Sequence, residues 1–154
     1  MKKLLIAIIL GAFFICAFSV NAADDILSTV KIADDYEKAG KINDAKKTWE
    51  GVLAKTGNDP VLYDRYAEFL NRTGDASGAI EQLKKVQKLI DPKGPANITY
   101  TFRIADILIA NNQPDEAKAV LTKLINESKD SWIIEDAKKR LRMLELPAAK
   151  PQPK

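Results

Sequence analysis

One spacing recurs three times in this sequence and constrains the fold more than any single motif. With Gly40, Gly74 and Asn112 set in register, an alanine falls seven residues before each, at Ala33, Ala67 and Ala105. A second alanine falls five residues after each, at Ala45, Ala79 and Ala117. Tyr36, Leu70 and Leu108 stand four before, Trp49, Leu83 and Leu121 nine after, and Val52, Val86 and Leu124 twelve after. The units are 34 and then 38 residues apart. A fixed period of this length marks a stacked array, in which each unit is one supersecondary element that cannot bury its apolar face alone.

Periodicity within the units is helical. Ala76, Ala79, Ile80, Leu83, Val86 and Ile90 form one stripe, and Ala117, Val120, Leu121, Leu124 and Ile125 another. Sustained alternation of apolar and polar residues, the strand signature, is absent. Asp59-Pro60 reads as a helix start, and so does Gln113-Pro114-Asp115-Glu116, with carboxylates near the positive end of the helix dipole. The pattern predicts an all-α chain of seven helices over roughly 26–39, 43–55, 60–72, 76–90, 96–111, 114–127 and 131–145. The first six pair into three hairpins. The last carries Trp132, Ile133, Ala137, Leu141 and Leu144 on one side and charged residues on the other. It is expected to cap the apolar face that the third hairpin leaves open.

The aligned alanines and large apolar residues resemble the tetratricopeptide repeat, a helix–turn–helix unit of about 34 residues. The resemblance covers Ile26 to about Lys129. It implies a right-handed α-solenoid of three hairpins, at about 26–59, 60–93 and 97–130, closed by the capping helix 131–145. The small residues would let the helices of a unit, and neighbouring units, approach closely. Two departures stand out: Asn112 replaces the turn glycine, and four extra residues near Lys93-Gly94-Pro95-Ala96 lengthen the second link.

The ends read differently. Lys2 and Lys3 precede an apolar run from Leu4 to Phe18, with Val20 and Ala22 at the positions a signal peptidase reads. A secretory signal over 1–22, cut after Ala22, is expected. The mature chain would then be periplasmic or secreted and not inserted in the membrane, whereas an uncleaved signal would tether it to the inner membrane. Cys16, the only cysteine, follows bulky Phe13, Phe14 and Ile15, which argues against lipid attachment. Residues 147–154, with Pro147, Pro151 and Pro153, are expected to form a disordered tail.

Composition then excludes several chemistries. The chain has no histidine, and its single cysteine lies in the expected signal, so metal, haem and iron–sulfur sites lose their usual ligands. No cofactor is expected. Removing Lys2 and Lys3 leaves 22 basic against 21 acidic side chains, which gives no support for nucleic acid as a partner. A carboxylate-dependent cell-wall enzyme would need two acids facing each other across a cleft, and adjacent pairs such as Asp34-Asp35 do not face the same way on a helix.

The expectation is therefore a non-enzymatic adaptor that binds a protein or peptide, with a structural subunit of an envelope oligomer as the alternative. The resemblance implies that the first helix of each hairpin lines a concave groove. Leu27, Val30, Asp34 and Glu37 would face it from the first unit, Val61, Asp64, Glu68 and Asn71 from the second, and Thr99, Phe102, Asp106 and Ile109 from the third. Two ladders follow, Lys31/Arg65/Arg103 and Asp34/Glu68/Asp106. They read either as local pairs three residues apart, each contributing about 0.2–0.5 kcal/mol, or as groove walls. The binding set is Asp34, Glu37, Asp64, Arg65, Glu68, Phe102, Arg103, Asp106 and Ile109, with Phe102 and Ile109 on the floor. It would suit a peptide with an apolar anchor and a basic group. Trp49 and Trp132 are expected in the core.

Overall fold

The computed structural model describes residues 24–145, and all the regular structure among them is helical. The expected signal segment 1–22 and tail 147–154 lie outside the described residues. Helix α1 covers 24–38. It is followed by α2 (Ile42–Thr56), α3 (Pro60–Arg72), α4 (Ala76–Leu89), α5 (Pro95–Ala110), α6 (Pro114–Glu127) and α7 (Ser131–Glu145). None of these is long and apolar enough to cross a membrane.

The chain divides into two compact units at Asn58/Asp59. The first holds the α1–α2 hairpin, in which Lys55, near the end of α2, meets Asp25, near the start of α1, at 3.6 Å. Its buried side chains are Val30, Ala33, Ala45, Trp49 and Val52.

The second unit holds α3 to α7. Here α4 packs on both α3 and α5, and α6 on both α5 and α7. Within this unit α3, α5 and α7 thus form one layer and α4 and α6 the other. The starts follow local chemistry. The Asp59 carboxylate accepts from the Val61 amide at 2.9 Å, with Pro60 in the first turn, and Asp75 accepts from the Gly78 amide at 2.9 Å. Helix α5 begins at Pro95, one residue earlier than expected, because a proline loses nothing where the helix has no partner for its amide.

All six aligned alanines are buried, as are Trp49, Leu83 and Leu121. The three turns share one geometry. In each, the left-handed residue's amide reaches the carbonyl three back, and the next amide reaches the carbonyl five back. The first pair is Gly40→Glu37 and Lys41→Tyr36, the second Gly74→Asn71 and Asp75→Leu70, the third Asn112→Ile109 and Gln113→Leu108. Asn112 holds φ 57° where the glycines hold 71° and 89°. The missing glycine is thus a change of residue and not of backbone, since asparagine tolerates this region better than other side chains. Asn112→Gly should raise stability by about 0.5 kcal/mol, and Gly74→Ala should lower it by about 1 kcal/mol. Nothing lies within 4 Å of a Cβ built on Gly74, so the second cost is purely conformational. Chemical denaturation of both variants checks the pair, and equal midpoints would contradict it.

Helix α7 closes the stack. Ile133 and Ala137 enter a cluster with Phe102, Ala105 and Leu121, and Leu141 and Leu144 pack at its edge. Ala137 follows Ala105 by 32 residues. In packing terms α7 is the first helix of a fourth unit. Trp132 does not join this core: it is 59 % exposed. The slot goes to its neighbour Ile133, because adjacent residues on a helix point about 100° apart.

Candidate protein-binding face

The layer formed by α3, α5 and α7 is held by charged side chains that reach from one helix to the next. Arg103 on α5 pairs with Asp64 on α3 and lies 3.6 Å from Glu68. Tyr100 donates its hydroxyl to the second Asp64 oxygen at 3.3 Å, and the Arg103 guanidinium lies 5.5 Å from the Tyr100 ring centre. One step along, Arg140 on α7 grips Asp106 on α5 with two donors, at 2.8 and 3.2 Å. A third donor of Arg140 binds Asp136 on its own helix. The same guanidinium sits 4.4 Å above the Phe102 ring centre.

The two ladders do not resolve into local pairs three residues apart. Among the described residues, none of Lys31–Asp34, Arg65–Glu68 or Arg103–Asp106 forms a local ion pair. Arg103 reaches back to the preceding unit, and Asp106 is taken by the following one. A planar guanidinium on a long stem can bridge helices and still bind a carboxylate with two hydrogen bonds.

The pairing alters proton affinities. Burial, then the Asp64 charge and the hydrogen bond to it, raises the Tyr100 hydroxyl above its ordinary value, against the opposing pull of Arg103. The bond to Asp106 leads in holding Arg140 still more firmly protonated, against desolvation. A raised tyrosine value means the fold favours the neutral hydroxyl. Its contribution is complete below the ordinary value of about 10 and is lost as pH rises through the folded value. In ultraviolet titration, the tyrosine missing from Tyr100→Phe should ionise above pH of about 10. Asp64→Asn should bring it down. A Tyr100 that ionises at or below the free value contradicts the geometry.

An open cleft of about 360 Å³ lies beside this network, bounded by Asp106, Ile109, Ala110, Asp136, Lys139, Arg140 and Met143. Trp132 falls on the same α7 stripe as Asp136, Lys139 and Met143, at spacings of four, seven and eleven. Trp132 and Met143 are 59 % and 61 % exposed.

The residues expected to bind are placed as follows. Asp64, Glu68, Arg103, Asp106 and Ile109 come together on the α3–α5–α7 layer, and Asp106 and Ile109 border the cleft. Arg65 is exposed on α3, with no ion pair among the described residues. Phe102, expected on the groove floor, is 7 % exposed and belongs to the core beneath Arg140. Asp34 and Glu37 are half-buried on α1, in the first unit. Val30, also expected to face the groove, is buried, whereas Leu27 and Val61 are exposed.

Sequence reasoning missed Tyr100, Trp132, Asp136, Lys139, Arg140 and Met143. A signal for the aromatic pair was present: Trp132 stands five residues before Ala137, as Tyr100 stands five before Ala105. Extending the alanine series by one more step places both rings on equivalent turns.

The family model described as Tetratricopeptide repeat matches residues 101–131, which run from within α5 through α6 to the first residue of α7. Among solved structures, the Yersinia enterocolitica type III secretion chaperone SycD, in complex with a peptide of the translocator YopD, is 17 % identical. That match covers 79 % of this chain and 93 % of SycD, with a TM-score of 0.52. A putative kinesin light chain with nearly identical TPR-like repeats, from Podosopora anserina, is 20 % identical over 77 % of this chain and 64 % of its own, at 0.57. The first TPR of Spaghetti (RPAP3), bound to the HSP90 peptide SRMEEVD, is 17 % identical over 79 % and 96 %, at 0.50. At these identities the likeness is one of fold. No curated protein matches the chain.

Proposed function

We propose that this chain is an exported adaptor of the tetratricopeptide-repeat type that holds a segment of a partner protein on its α3–α5–α7 face and does no chemistry of its own. The observation that carries this reading is the 360 Å³ cleft on that face, with Met143 61 % exposed at its rim and Trp132 59 % exposed on the same stripe of α7. Exposed aromatic side chains on a rigid helix, next to a pocket, are what protein partners use as anchors. Two solved neighbours of the same fold are peptide complexes, which supports a peptide-like occupant here.

The charges on this face set geometry more than they supply affinity. Asp64, Asp106 and Asp136 each already meet an arginine, with Glu68 at 3.6 Å from one. A basic group on the partner would compete with Arg140 for Asp106, so most of the binding energy comes from the apolar anchor that Trp132, Met143 and Ile109 receive. Arg65, exposed on α3, belongs to the proposed surface, and Asp34 and Glu37 are proposed as binding residues of the first unit by itself. One guanidinium holds both Asp106 and Asp136, and another lies against both Asp64 and Glu68, which disfavours a two-carboxylate hydrolase. Export to the periplasm rests on the basic, apolar and small-residue order of the first 22 residues.

The test places a photo-crosslinking amino acid at position 143 and, as a control, at Lys118, exposed on α6. A covalent adduct to one partner is expected from position 143 alone. Adding Trp132→Ala should cut its yield about tenfold or more and leave thermal stability within about 0.5 kcal/mol. Equal adducts from both positions, or no effect of Trp132→Ala, would refute the face. Fractionation should recover the chain in the periplasm, starting at Ala23. A full-length cytoplasmic protein would refute the export reading and leave the face untouched.

A further inference from the structure

Lys93, in the lengthened second link, has no part in the α3–α5–α7 face. It borders a cleft of about 820 Å³, which opens between α4, α5, α6 and the start of α7. Its floor is apolar: Ile104 and Ile133 are buried there, and Ile98, Val120 and Leu124 are half-buried. The polar side chains inside are already satisfied by one another. The Gln87 amide donates to the Asn97 carbonyl at 3.2 Å, to Asn97 Oδ1 at 3.0 Å and to Thr101 Oγ1 at 2.8 Å, and Asn97 returns a bond to the Gln87 carbonyl. An apolar occupant therefore strands no buried donor.

The rim is basic. Lys84, Lys93, Lys123 and Lys129 line the cleft with exposed side chains, against Glu127 and Asp130. Glu127 is occupied by Lys123 at 3.9 Å. Asp91, next to the cleft, is turned to the Lys93 backbone amide at 3.0 Å. Among the described residues, Lys84, Lys93 and Lys129 have no ion-pair partner. The four lysines come from four separate segments: α4, the lengthened link, α6 and the α6–α7 link.

We propose that this cleft is a second docking site, distinct from the α7 stripe, for an acidic peptide segment that buries an apolar side chain between carboxylates. The distribution of charge selects this occupant. A fatty acid or similar amphiphile carries one anionic head and would be met by cations at one end. Lysines spread over four segments complement several carboxylates spaced along a chain. Its volume lies within the usual range of ligand sites, ~300–1,000 Å³.

The test is fluorescence anisotropy with the full mature chain and a labelled short peptide that alternates glutamate pairs with leucine. A peptide with glutamine in place of glutamate is the control. Saturable binding is expected, weakened by salt. It should fall about tenfold or more in Lys84→Glu/Lys93→Glu/Lys129→Glu, three exposed charges whose reversal leaves the core intact. Trp132→Ala should not change it. Binding that survives the triple reversal, is equal for the glutamine peptide, or is lost in Trp132→Ala overturns the site. So does a long-chain fatty acid that binds the cleft when the peptide does not. If the triple variant loses its circular dichroism melt, the softer Lys84→Gln/Lys93→Gln/Lys129→Gln decides by the same criterion, with a loss of about threefold expected.

Discussion

Phe69→Ala should cost the 59–145 unit about 3–5 kcal/mol. The ring is 0 % exposed and lies nearly parallel to Tyr66, with centres 6.0 Å apart at 11°. It sits on α3, the helix that packs on α4, so the cavity left behind is enclosed and can collapse only in part. A stacked array loses stability locally, because each unit depends on its own packing and on its neighbours. Denaturant unfolding followed by circular dichroism should show the loss, and hydrogen exchange should place it in α3 and α4 first. A loss below about 1 kcal/mol would mean that this ring does not anchor the pair.

The second large effect tests the repeat itself. Ala117→Leu should destabilise by about 1–3 kcal/mol, because Ala117 is fully buried where α6 packs against its neighbours. Ala119→Leu, two residues along the same helix and exposed, should change stability by less than about 0.5 kcal/mol. Both substitutions add the same side chain to the same helix, so helix propensity cancels and only the packing differs. Equal effects would remove the reason for the alanines to recur at a fixed spacing.

Much of the fold is legible because its rules are local. The helix starts at Pro60 and Pro114 follow from a proline in the first turn, joined at Pro60 by the Asp59 cap. The turn at Asn112 is harder to read, since the residue differs from the glycine at Gly40 and Gly74 while its backbone does not. Trp132 shows the limit of a periodic stripe. A helix with two adjacent apolar residues does not say which one the core accepts, and Ile133 takes the place at 1 % exposure. Phe102 shows the reverse. Its helical position pointed outward, and a guanidinium from another helix covers it.

The candidate face was legible in kind and not in detail. Asp64, Glu68, Arg103 and Asp106 were visible as charges in equivalent positions of successive units. Their partners were not, because the short-range rule links residues three or four apart, whereas Arg103 meets Asp64 across 39 positions and Arg140 meets Asp106 across 34. The alanine spacing alone determined that this chain stacks helical hairpins, since small residues at a fixed period leave room for a neighbouring helix and for nothing else. Which charges pair, which tryptophan stays in solvent and where the clefts open were decided only in three dimensions. Those outcomes depend on which side chain from a distant segment arrives first at a given surface, and no local pattern records that distance.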